Sequence, residues 1–391
     1  MTQQADTPQD TEKDTGQPAA PARAAAPAPR PGRFDAVRRR LPKSTFARHA
    51  LAALGGLVVV FLVLELTNPF RNSQFATMSY YAIAAVGLTT LTGLNGQISL
   101  GHGALMAVGA YTTGLLLGPD ADGAALPLPI VMLVAMAVTA VVGVVVGAAA
   151  ARLHGPYLAG ATLALAVALP GLAIYFDEWL GGEQGLRIAA PRPPDWFSDA
   201  VYFLSANETP GVKYLAYVGW ITLLVVLLLM ANLKRGRVGR VWQAVRDDEV
   251  AAELAGIRLG RTRVIAFVVS AACAGLAGAV LAVVVRLAAP SGFTIVLSLS
   301  LLTAVVLGGL GSFTGALLGS ALLVFLTPTV TNLGTSLGLD ATAAAEVAPF
   351  VYGVVLVLVM LLAPAGAVGV LRKLWHRTRG NHPGSSTRRS A

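Results

Sequence analysis

The feature that most limits how this chain can fold is a succession of apolar stretches, separated by short polar ones. A helix needs roughly 20 apolar residues to cross the hydrocarbon core of a bilayer. Stretches at 49–67, 75–93, 98–117, 126–151, 157–176, 214–232, 263–285, 294–310, 312–331 and 347–364 read as such spans. Gly, Ser and Pro interrupt the third, eighth and ninth, and the eighth runs straight into the ninth. The expected fold is all-α, a polytopic membrane protein with about ten transmembrane helices, some broken by Gly-rich segments. Composition agrees, because 55% hydrophobic against 13% charged is more apolar than a soluble core needs.

Charge organises the rest. Residues 1–46 are rich in Ala, Pro, Gln, Thr and then Arg, too polar to bury a core, and are expected to be a disordered tail. The first span follows that polar segment, so it reads as a retained anchor rather than a cleaved signal. A membrane-embedded body at 47–371 and a loose tail at 372–391 complete the division. Between the sixth and seventh spans lies a charged island at 233–263 with eight Lys or Arg and four Asp or Glu. Lys and Arg stay preferentially on the cytoplasmic side. With the N-terminus inside, 24 of the 29 fall inside, leaving Arg71, Arg187, Arg192, Lys213 and Arg286 outside. Asp120 and Asp122 then fall outside as well. Both termini and the island are therefore expected in the cytoplasm, with the chain multi-pass in the cytoplasmic membrane. The basic residues lie beside apolar spans without interleaved aromatics, so they read as topology signals and contacts with membrane lipid, with no nucleic-acid partner.

Several chemistries lack their residues. Of 20 Asp and Glu, only Glu65 lies within a span, near its outer end, which leaves little to couple a proton gradient to transport. None of the five lysines follows a glycine, so there is no phosphate-cradling loop, and Lys43 before Ser44 has Pro42 where the glycine belongs. The five histidines are scattered, there is no HExxH or C-x-x-C, and the one cysteine, Cys273, lies in an apolar run as a small packing residue. No cofactor or metal is expected. If this chain moves a solute uphill, the energy must come from another subunit.

Two stretches remain as candidates. Gly93–Gly114 sets Asn95, Gln97, Ser99 and His102 among glycines at the start of the third span. Irregular backbone at membrane depth is tolerated only where protein or a water-filled cavity surrounds it, so these four are candidate substrate-pathway residues. Close packing through small residues would give the same pattern. Reading Ser99 and His102 as a nucleophile and base finds no G-x-S-x-G elbow and no acid to orient the imidazole. In the island, Val241, Trp242 and Val245 share one helical face, whereas Val250, Leu254 and Ile257 share nearly the opposite one. That pattern requires two short helices, with Asp248 as N-cap of the second and Gly256 as its stop. Arg246, Asp247, Asp248, Glu249 and Glu253 then sit near the joint and are the candidate contacts to a partner. A loop resting on lipid headgroups would explain the basic residues but not the acidic run 247–249. The segment 177–212, with its Pro and Gly, reads either as an external cap or as a solvated connector.

The stretches GLNGQISLGHGALMAVGAYTTGLL, LGGEQGLRI, GRVWQAVRDDEVAAELAGIRLGRTRVIAFVVSAACAGLAGAV, VVLGGLGSFTGALLGSALLVF and LAPAGAVGVL occur in this order from about Tyr80 to Leu371. Together they resemble the permease subunits of branched-chain amino acid ABC importers, LivM type. Two positions depart from that pattern: Glu183 and Gln184 interrupt the Gly-rich motif, and Pro364-Ala365-Gly366 stands for the usual Pro-Arg-Gly. The resemblance implies a non-enzymatic transport subunit. Its implied partners are two cytoplasmic ATPase subunits, a second homologous permease and an external solute-binding protein. It also implies that 240–260 contacts the ATPase and that Gly93–Gly114 lies near the translocation path. The residues alone also allow a passive channel or facilitator for a small polar solute such as urea or an amide.

Overall fold

The computed structural model describes residues 45–119, 126–153, 156–189, 191–362, 366, 368 and 369. Nearly all of the N-terminal tail, the C-terminal tail, and the Asp120 and Asp122 loop lie outside the described residues. Helix α1 (Thr45–Leu66) leads into α2 (Pro69–Leu88), where Asn68 caps the new helix by accepting from the Arg71 N–H. A wide π turn, Thr89–Leu94, ends α2, and α3 (His102–Leu117) starts only after a non-helical stretch at 96–101. There follow α4 (Leu128–Ala150), α5 (Pro156–Tyr175), the single turn α6 (Asp177–Leu180), α7 (Asp195–Ser205) and α8 (Gly211–Arg235). The island forms α9 (Arg237–Asp247) and α10 (Glu249–Leu254), and the chain closes with α11 (Leu259–Val285), α12 (Ile295–Gly308), α13 (Phe313–Ser336) and α14 (Ala341–Leu362).

Among the described residues, eight helical stretches are long and apolar enough to cross a membrane. The expected third span differs because its first residues never become helical. Its apolar helix, α3, has 16 residues, about 24 Å at 1.5 Å per residue, and does not reach across the hydrocarbon alone. The fused eighth and ninth spans separate into α12 and α13 through Gly309–Ser312. The last stretch forms α14, 22 residues long. Apart from one two-residue pairing, the described residues form an all-α fold.

Helix α11 is the hub, packing along α4, α3, α2 and α8. Lipid tails solvate Leu as well as another Leu does, so apolar burial alone contributes little to helix association inside a bilayer. Close backbone approach decides it. The buried face of α11 accordingly carries Ala271, Ala274, Gly275, Ala277 and Gly278, with the free, buried Cys273 among them. A Cβ on Gly278 would strike the Met106 carbonyl oxygen of α3, which is rigid backbone. Gly278→Val is therefore expected to separate α3 from α11 and to destabilise the protein by more than the ~1–3 kcal/mol typical of overpacking. Thermal unfolding of the purified variant in detergent checks this, and an unchanged midpoint would refute the close contact.

At the opposite end from the island, the GGEQGLRI stretch folds back over the mouth of the bundle. Leu186–Arg187 pairs antiparallel with Leu287–Ala288 just past α11, and the Ala189 N–H donates to the Gly118 carbonyl at the end of α3. This half of the segment is a cap packed on α3, where Leu186 and Ile188 meet Gly114. Nearby, Glu65 of α1 meets Lys213 of α8 at 2.6 Å, and both side chains are buried. Tyr217 donates its hydroxyl to the same carboxylate at 2.8 Å, and Asn207 donates at 3.0 Å. The one acid that the sequence places in a span is thus neutralised by a cation and held by two further donors, and it fastens α1 to α8.

Candidate translocation and coupling site

The broken helix begins with the residues GLTTLTGLNGQ. Thr90 returns its hydroxyl to the Val86 carbonyl at 2.9 Å, competing with the helical ladder. The helix then widens into its π turn, and Gly96 reverses the chain at φ +78°, a conformation that side chains with a Cβ rarely adopt. Residues 96–101 run back alongside α2, so His102, the first residue of α3, lies at the level of Gly87. Seven residues separate Gly87 from the end of the π turn at Leu94, which places the start of α3 about 10 Å inside the bundle.

Non-helical backbone at that depth needs partners. The Gln97 N–H donates to the Leu91 carbonyl at 3.2 Å, and the Thr92 hydroxyl donates to the Gln97 carbonyl at 3.0 Å. Thr162 of α5 accepts from the Leu100 N–H at 2.9 Å, and Ser298 of α12 accepts from the Gly103 N–H at 3.0 Å. Three helices therefore support this segment.

The four candidate pathway residues all lie here, and all are buried. Gln97 donates through Nε2 to the Arg263 carbonyl at 3.2 Å, while its Oε1 has no partner among the described residues. Among the described residues, neither amide atom of Asn95 has a partner, and neither ring nitrogen of His102 has one. Among the described residues Ser99 accepts from the Gly101 N–H, at 3.4 Å. No hydrogen bond joins Ser99 to His102, so the nucleophile and base are not assembled. Buried amides and an imidazole without partners carry a desolvation cost. Gathered at one break in the helices, they form a buried polar seam.

The island forms the two short helices that the apolar faces require. Asp248 is extended and its carboxylate accepts from the Ala251 N–H at 3.0 Å, capping α10, while Gly256 just beyond the end has φ +84°. Trp242 and Val245 are buried against the bundle. Asp247, Asp248, Glu249 and Glu253 are exposed, and between them Val250 and Leu254 are 69% and 86% exposed.

The two candidate regions touch each other, which sequence spacing alone did not predict. Arg246 was expected among the outward contacts, yet its Nη1 donates to the Gly93 carbonyl at 2.7 Å while Nε and Nη2 hold Asp247. Its stem lies against Gly96. The Gly93 backbone in turn abuts Gly311 in the α12–α13 turn, whose carbonyl accepts from Lys234. Glu249 pairs with Arg263 at 2.6 Å, and Arg263 passes its own carbonyl to Gln97. The island is thus wired to both sides of the broken helix. Lys234, Arg263 and Gly311 are the residues that the sequence reading missed. Its only signal for the two cations was that they sit at the very ends of the island, where they counted as topology charges. The described residues bring together no group of His, Cys, Asp and Glu that could hold a metal ion.

Residues 72–360 match the family described as branched-chain amino acid transport system / permease component. The chain belongs to this family. Over 285 residues this permease is 34% identical to the high-affinity branched-chain amino acid transport system permease protein LivM of Escherichia coli (strain K12), covering 68% of this chain and 66% of that one. It therefore spans just under two thirds of the length of that relative. It is also 27% identical to LivH, the permease protein of the same name from the same organism, over 74% of this chain and 92% of that one. Identity to the autoinducer 2 import system permease protein LsrC of Enterobacter sp. (strain 638) is 27% over 72% of this chain. No solved structure matches it.

Proposed function

We propose that this permease is one transmembrane subunit of an ATP-driven ABC importer that carries branched-chain amino acids across the cytoplasmic membrane. Its partners are two cytoplasmic ATPase subunits, a second homologous permease and an external solute-binding protein. Both termini and the island face the cytoplasm. Helix α10 inserts Val250 and Leu254 into an ATPase groove while Asp247, Asp248, Glu249 and Glu253 meet its rim. Asn95, Gln97, Ser99 and His102 line the solute route, which opens when the island moves.

The observation that carries this reading is the direct link from the island to the broken helix, through Arg246 to Gly93 and through Arg263 to Gln97. A partner that displaces α9 and α10 by an ångström or two must move these hydrogen bonds, because packed helices shift as rigid bodies. The names of the relatives support the solute class and the importer architecture. The chain's own lack of a phosphate loop supports a separate ATPase.

Affinity purification of the full chain from its native membrane is expected to recover an ATPase subunit. Recovering none, with uptake unaffected by ATP depletion, would overturn the reading.

A further inference from the structure

A cavity of about 320 Å³ opens at the junction of the island and the broken helix. That is at the lower end of the roughly 300–1,000 Å³ typical of small-ligand sites. Its polar wall is formed by Glu249, Arg263 and Gln97, and its apolar wall by Ile98, Leu153, Leu158 and Ala159. The side chain of Arg263 is only 7% exposed, whereas that of Glu249 is 49% exposed, so the mouth lies on the Glu249 side. The Oε1 of Gln97 is buried without a partner among the described residues.

We propose that this cavity binds a zwitterionic α-amino acid with an aliphatic side chain on the same face of the protein as the island. The α-carboxylate pairs with the Arg263 guanidinium, which presents five N–H donors and spends Nη2 on Glu249. The α-ammonium donates to Glu249 and to Gln97 Oε1, giving that atom the partner it lacks. The side chain lies against Leu153, Leu158 and Ala159.

Charge arithmetic selects the class. A ligand with a single charge that separates Glu249 from Arg263 leaves one of them unmatched beside an apolar wall, and an unpaired, partly buried charge is strongly unfavourable. A zwitterion inserts with each charge keeping a partner. Little is lost in parting the pair, because an ion pair with one half-exposed member contributes little. An α-amino acid carries its two charges one carbon apart, which suits two protein groups already within 2.6 Å of each other. The ligand would bridge α10 to the start of α11. Solute released on this face therefore meets the coupling helix itself.

This inference rests on the proposed solute class but not on the ATPase, and its test needs no partner. The full chain in lipid nanodiscs is titrated with tritiated L-leucine. Saturable binding is expected, displaced by L-isoleucine and at least about tenfold less well by isocaproate or isoamylamine, which each lack one charge. Ala159→Phe, which fills the apolar half, and Glu249→Gln are each expected to weaken leucine binding at least about tenfold. The proposal is overturned if leucine does not bind saturably, or if isocaproate or isoamylamine competes as well as isoleucine. Binding that both variants leave unchanged places the ligand elsewhere and overturns it too. The competition series on the unmodified chain decides the matter even if neither variant folds. Failure here leaves the importer reading intact, and a failed ATPase recovery leaves this binding result intact.

Discussion

Replacing Asp247 and Asp248 together by Arg is expected to leave the permease inserted and folded while cutting ATP-driven uptake at least about tenfold. Asp247 is exposed and its carboxylate binds only the neighbouring Arg246. Asp248 caps a six-residue helix, and loss of such a cap costs about 1 kcal/mol, too little to unfold a membrane bundle. The functional loss is larger for two reasons. Two acids on the proposed docking rim become bases, so the partner meets like charge. A base at 247 also repels Arg246, which donates to the Gly93 carbonyl and is the proposed link to the broken helix. The reconstituted complex should therefore keep ATP hydrolysis at a substantial fraction of its usual rate while uptake falls. Equal loss of both would indicate failed assembly, and normal uptake would count against docking at the joint.

The largest effect on stability is expected at the other end of the molecule. Lys213→Met leaves the Glu65 carboxylate buried without its cation, and breaking a buried pair in this way costs roughly 3–5 kcal/mol. The double substitution Glu65→Leu with Lys213→Met removes both charges and should recover most of that loss. Recovery will be incomplete, because the buried Tyr217 hydroxyl then loses its acceptor, at about 1–3 kcal/mol for a buried orphan group. Unfolding midpoints in detergent for the single and double variants decide this. A double variant as unstable as the single one would show that Glu65 and Lys213 do not act as a pair.

The membrane class was legible from apolar run length, because the bilayer leaves the backbone almost no alternative to helix. The split of the island was legible too, since Trp242 and Val245 cannot share a face with Val250 and Leu254 on one straight helix. Two features resisted for physical reasons. The interruption of the third span by Gly and Ser was legible, but not that the chain turns back into the bundle at Gly96 before α3 begins. Hydropathy does not register a reversal that a hydrogen bond donated by Thr92 and one accepted by Thr162 stabilise. The contact between Arg246 and Gly93 joins residues 153 positions apart, and neither local propensity nor charge counting carries information at that range. For the same reason Arg263 read as a topology charge, although its side chain is the buried half of an ion pair and its carbonyl holds Gln97.

Energy reaching the broken helix through the island is the central claim, and transport by the purified protein in liposomes tests it most directly. With the proposed ATPase, second permease and solute-binding protein reconstituted, the permease is expected to accumulate leucine only when ATP is supplied on the island side. Liposomes holding this chain alone should show no leucine or urea flux above protein-free vesicles, because the polar seam around Asn95 and His102 is buried. Flux through the chain alone, independent of ATP, would contradict the account and identify a passive channel instead.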